Sequence, residues 1–110
     1  MERLAFLEQT RFGDKVQIDK MTETPYSKEI RICMEKGNVM QEHTAPGAIA
    51  IMVLRGRINL ASEGESTTLS EGDMVCFEAN VPHSLDAIEQ SIVRLTLAKT
   101  DSLKRVFTLT

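Results

Sequence analysis

"GNVMQEHTAPGAIAIMVLRG", residues 37–56, decides the fold. Gly37-Asn38 reads as a turn, and a short polar run then leads to His43. Ala45-Pro46-Gly47 breaks the chain again. Seven apolar residues follow without interruption, 48–54, and Arg55-Gly56 stops them. An apolar run of that length between turn signals is the size of a strand buried on both faces. His43 stands just ahead of that run and admits two readings: a ligand-bearing position at the mouth of a barrel, or a hydrogen-bonded interior histidine beside a turn.

Outward from this stretch the same grammar continues. Val16 and Ile18 alternate with Lys15, Gln17 and Asp19; Ile30, Ile32 and Met34 alternate with Arg31 and Glu35. Ile58 and Leu60 alternate with Arg57 and Asn59, and Val93, Leu95 and Leu97 with Arg94 and Thr96. Period-2 patterning of this kind marks half-buried strands, and no long helical stripe competes with it. Turn signals at Lys36-Gly37-Asn38, Ser62-Glu63-Gly64-Glu65, Glu71-Gly72-Asp73 and Ala79-Asn80-Val81-Pro82 separate the runs. Many short strands joined by tight turns form a sandwich or barrel. Residues 1–12 fit a strand or one helical turn, and 100–107 fit a short helix capped by Asp101 or a tail strand.

Composition narrows the function classes. The 110 residues hold 42% hydrophobic and 26% charged side chains with a net charge of -3, which suits one globular domain spanning residues 1–110. Acidic and basic residues are scattered, and the five aromatic rings of Phe and Tyr are far apart in sequence, so no basic, stacking surface for nucleic acid is visible. Apolar runs near the N-terminus reach only residues 4–7, too short for a signal-peptide core or a membrane span, and the expected location is cytoplasmic with no membrane partner. Cys33 and Cys76 lack metal or redox spacing and read as small hydrophobes.

Residues 37–56, together with "GDMVCFEANVPH" at 72–83, resemble the two motifs of the cupins, the small RmlC-like jelly-roll barrels. The first motif of that family runs Gly, five residues, His-x-His, three or four residues, Glu, six residues, Gly; Gly37, His43 and Gly56 fit it. The second runs Gly, five residues, Pro-x-Gly, two residues, His; Gly72 and His83 fit, while Glu78 and Asn80 replace the Pro and Gly. The motif core is 37–97. The resemblance implies an all-β fold, an antiparallel jelly-roll or double-stranded β-helix barrel, and it puts both histidines of the chain on family ligand positions.

The resemblance also exposes departures. Metal-binding cupins use three histidines and a glutamate; here the second histidine position is Ala45 and the glutamate position is Ile49. Two imidazoles without a carboxylate make a thin ligand set, since catalytic zinc sites usually have three protein ligands. Gln41, two residues before His43, is expected on the same strand face as a further donor. The expected pocket is therefore His43, His83, Gln41, Ile49 and Ile51, more apolar than the family's metal sites and suited to a small molecule. Any divalent transition metal, whether Zn, Fe, Mn, Ni or Cu, would rest on His43 and His83.

Two functions follow as expectations. One is a single-domain cupin that binds a small, partly apolar molecule. The other is a metal-dependent cupin enzyme of dioxygenase, isomerase or epimerase type acting on a small acid or sugar; a metal-free variant would use His43 or His83 as general base. No catalytic residue is assignable from sequence. The unbroken run also predicts a homodimer. With Ile49, Ile51 and Val53 facing inward, Ala48, Ala50, Met52 and Leu54 need cover from outside, either by a second subunit or by the N-terminal segment.

Overall fold

Nine strands, all paired antiparallel, make up the computed structural model, which describes residues 1–99. They are β1 (Gln17–Glu23), β2 (Ser27–Met34), β3 (Val39–His43), β4 (Ile49–Arg55), β5 (Arg57–Ser62), β6 (Glu65–Ser70), β7 (Met74–Phe77), β8 (His83–Ala87) and β9 (Ser91–Ala98). One sheet runs β1-β2-β9-β4-β7 and the other β3-β8-β5-β6. Consecutive strands along the chain repeatedly fall in different sheets, as in a jelly roll, and the described residues contain no helix. The expectation for 100–107 lies outside the described residues.

Register stacks the inward side chains of the larger sheet in rows. At one end of the barrel, Glu23, Lys28, Leu97, Ile49 and Phe77 are successive cross-strand partners and share the inner face. The next row is Lys20, Ile30, Leu95, Ile51 and Val75, and the third holds Ile18, Ile32, Val93 and Val53. From the smaller sheet come Met40, Leu85 and Leu60, then Ala87, Ile58 and Leu69. Ile51, Val53, Ile32 and Ile58 are at most 1% exposed, and each contributes about 1.5–3 kcal/mol by its burial. Polar side chains thus collect at one mouth, above an apolar core.

Burial departs from simple alternation on β2. Arg31, Glu29 and Cys33 have outward parity yet are buried beside Ile30, Ile32 and Met34. For Arg31 the N-terminal segment is the cause. Arg31 donates to the carbonyls of Glu8 at 2.7 Å, Gln9 at 3.3 Å and Phe6 at 3.4 Å, and it pairs with Asp19 at 2.9 Å. Arg94 lies 6.0 Å from the Phe6 ring centre and pairs with Glu29 at 2.8 Å. Residues 1–12 form no strand; they make one turn, closed from Glu8 N–H to the Ala5 carbonyl, held across the sheet's outer face by these contacts.

Two positions explain tight connections. Gly56 adopts φ 89° between β4 and β5, where a Cβ would collide with the Gln90 carbonyl and the Ser91 hydroxyl. Asn80 takes φ 65°, and its N–H donates to the Ala45 carbonyl at 2.8 Å. Asparagine is one of the few residues that enters this left-handed region readily.

Candidate functional site

His43 ends β3 and His83 opens β8, and the ladder makes them direct partners at the polar mouth. Their ring centres are 4.4 Å apart with planes inclined by 61°. His83 is 2% exposed and stacks on Phe77 at 5.1 Å, whereas His43 is exposed. Each ring is oriented by its own backbone: His43 Nδ1 lies 2.8 Å from the Gln41 carbonyl and His83 Nδ1 2.9 Å from the Val81 carbonyl. A carbonyl only accepts, so Nδ1 carries the hydrogen in both rings. In the neutral tautomer Nε2 then offers its lone pair, and among the described residues neither Nε2 has a hydrogen-bond partner.

A cavity of about 580 Å³ opens between the sheets beside this pair. His43, His83, Ala45 and Ile49 line it, as do Leu95 and Leu97 on the opposite wall. Lys28, Lys99 and Glu23 edge the mouth. Glu23 bonds to Lys20 at 2.8 Å and to Lys99 at 3.1 Å, and those ammonium groups pull its carboxyl down to about 2.

Of the five pocket residues expected from sequence, His43, His83 and Ile49 come together here. Ile51 lies one row deeper, 1% exposed in the core. Gln41 is not brought to the cavity. A β-bulge between Met40 and His43 makes three residue steps on β3 oppose two on β8, so Met40, not Gln41, shares the inward face with His43. Gln41 lines a second hollow of about 500 Å³ with Asp14, Ile18 and Val39, which Met40 and His43 also border, and it serves His43 through its backbone carbonyl. Cys33, of outward parity on β2, is also remote from the cavity's inner face.

Lys28, Leu95 and Leu97 were legible: each continues the inward parity of a strand already read from Ile30 and Ile32 or from Val93. Glu23 was not, because a bulge between Lys20 and Thr22 shifts the parity of β1.

The donor set does not suit a tightly bound metal. Two imidazole rings lie side by side, and among the described residues no group of three or more His, Cys, Asp or Glu side chains is placed to hold an ion. Ala45 and Ile49 occupy the lining where further donors would stand.

Fold and site together define a jelly-roll barrel with a partly apolar cavity at one mouth, flanked by paired strand-end histidines. Residues 30–98 match the family described as "Cupin domain", and the chain belongs to the cupin family. No curated protein matches the sequence. Among solved structures, an RmlC-like cupin from Desulfovibrio desulfuricans is similar with a TM-score of 0.82 and 22% identity over 89% of this chain and 96% of that one. A conserved protein of unknown function from Streptococcus pyogenes has a TM-score of 0.77 and 20% identity over 89% and 87%. KdgF from Halomonas sp. has a TM-score of 0.70 and 22% identity over 83% and 87%. At these identities the likeness carries the fold alone. Among the described residues, no helix is long and apolar enough to cross a membrane.

Proposed function

We propose that the protein is a small-molecule-binding cupin whose ligand occupies the mouth cavity, with a polar group at the Nε2 atoms of His43 and His83 and its body against Ile49, Leu95 and Leu97. The observation that carries this reading is the pair of rings fixed through Nδ1, with both Nε2 atoms without a partner among the described residues. A pocket of a few hundred cubic ångströms with apolar walls and a few convergent polar groups is the usual form of a small-ligand site. Metal plays no part in this reading, because the carboxylate that would balance the ion's charge is replaced by Ile49. The test is a fragment screen read by methyl and imidazole NMR shifts. Hits that shift His43, His83 and Leu97 together, and that are lost in His43→Ala, support it; hits confined to other surfaces overturn it.

The same reading includes a homodimer. Outward from β4 and β7, Ala50, Met52 and Leu54 are half-buried, while Cys76 and Met74, the latter 57% exposed, remain open. The N-terminal segment's polar anchors are on β1, β2 and β9. A second copy is the natural cover for the remaining apolar strip.

A further inference from the structure

We propose that the mouth cavity takes a small aliphatic carboxylate, held by Lys28 and Lys99 at the rim with its chain along Leu95, Leu97 and Ile49. This deepens the small-molecule reading above and rests on it. Lys28 stands on β2 at the barrel mouth. Its Cα is directly opposite Leu97, and the pairing continues to Ile49, so Lys28 belongs to the row that faces the barrel interior. Lys28 is exposed at the mouth end of that row, where its solvated ammonium can pair with an anion entering the cavity.

Glu23 is its cross-strand neighbour but is held by Lys20 and Lys99 at 2.8 and 3.1 Å. Among the described residues no carboxylate pairs with Lys28. The mouth therefore carries, among the described residues, two lysines against one glutamate, in a chain whose net charge is -3. Local charge opposite in sign to that of the whole molecule favours an anionic ligand at this spot.

The walls narrow the class further. Ile49, Leu95, Leu97, Ala48 and Ala98 are apolar, and among the described residues no arginine lines the cavity. Arginine forks are the side chains best matched to phosphate, whereas two separate ammonium groups beside an aliphatic wall suit one singly charged head on a short chain. His43 and His83, on the facing strands, are left to meet any hydroxyl or carbonyl the ligand carries.

Pentanoate and its neutral amide, pentanamide, are the probes, titrated into protein labelled at Ile and Leu methyls, with inorganic phosphate as a third. Pentanoate should shift Ile49, Leu95 and Leu97 and bind about tenfold more tightly than pentanamide, the scale of one charge-assisted contact. Lys28→Met should weaken pentanoate by about the same factor while leaving pentanamide unchanged. Glu23→Gln should tighten pentanoate, a gain that a merely damaged fold does not produce. Equal binding of pentanoate and pentanamide at these methyls overturns the carboxylate assignment and leaves the cavity reading standing. Phosphate binding more tightly than pentanoate overturns it too. If neither pentanoate nor pentanamide moves the methyls, both readings fall.

Discussion

His43 and His83 are direct partners across the β3–β8 ladder, yet one ring is exposed and the other is 2% exposed. Equal in register, they differ in what covers them: Phe77 lies over His83, and His43 faces the opening.

Truncation should therefore separate the two. His83→Ala removes a buried ring, its stacking on Phe77 and its bond to the Val81 carbonyl, and should cost about 2–4 kcal/mol in urea unfolding. His43→Ala should cost about 1 kcal/mol or less, because the Gln41 carbonyl it releases lies on an exposed strand end. Equal costs would contradict the asymmetric burial.

Gly56 is a second point of sensitivity. Gly56→Ala forces a Cβ into the Gln90 carbonyl and the Ser91 hydroxyl at a backbone angle that disfavours side chains, and should cost about 2–4 kcal/mol. Gly64→Ala, also at positive φ but in open space, should cost only the backbone strain of about 1–2 kcal/mol. Chemical unfolding of the two variants side by side checks the difference.

Acid should loosen the N-terminal segment. The hydrogen bond from Arg31 is the main reason the Asp19 carboxyl sits below its ordinary 3.8. Burial raises Glu29, but hydrogen bonds from Arg94, Thr96 and Ser27 outweigh that and leave it below its ordinary 4.5. Both values are lower folded than unfolded, so each carboxylate's contribution is fully present above its ordinary value and is lost as pH falls through the folded one. Unfolding free energy should begin to fall below pH 4.5, through these two groups, and continue falling below 3.8. Asp19→Asn should make that decline shallower; an unchanged slope would contradict the linkage.

Metal affinity should be restorable. Ala45 and Ile49 line the cavity that His43 and His83 share, so Ala45→His with Ile49→Glu should give four converging donors and raise affinity for Zn²⁺ or Ni²⁺ by orders of magnitude, about 10²-fold or more. Without metal the introduced carboxylate, at a position 5% exposed, should lower stability. Competition with a chromophoric chelator measures the affinity. Stoichiometric, chelator-resistant metal in the wild-type protein would refute the metal-free reading.

Sedimentation should report a dimer at micromolar concentration. Met74→Glu should convert it to a monomer, since Met74 is 57% exposed beside half-buried Met52 and exposed Cys76. A monomeric wild type would remove the dimer and leave the strip of Met74 and Cys76 facing solvent.

Strand positions and inward parity were readable from the chain, because alternation along a strand is local and burial of one face enforces it. Ile30, Ile32, Ile49, Ile51, Val53 and Val93 all fall in the core that the pattern implied. The spacing of Gly37, His43, Gly56, Gly72 and His83 likewise sufficed for the family and for the two histidines. Tertiary structure alone decided what surrounds them. The bulge between Met40 and His43 turns Gln41 away, and the one between Lys20 and Thr22 brings Glu23 inward; an inserted residue reverses parity without leaving a mark in composition. The burial of Arg31 came with the N-terminal segment, through carbonyls 22 to 25 residues away, and that of Glu29 with Arg94 and Thr96, 65 and 67 residues away. Such pairings are set by the register of distant segments, and no local pattern encodes that register.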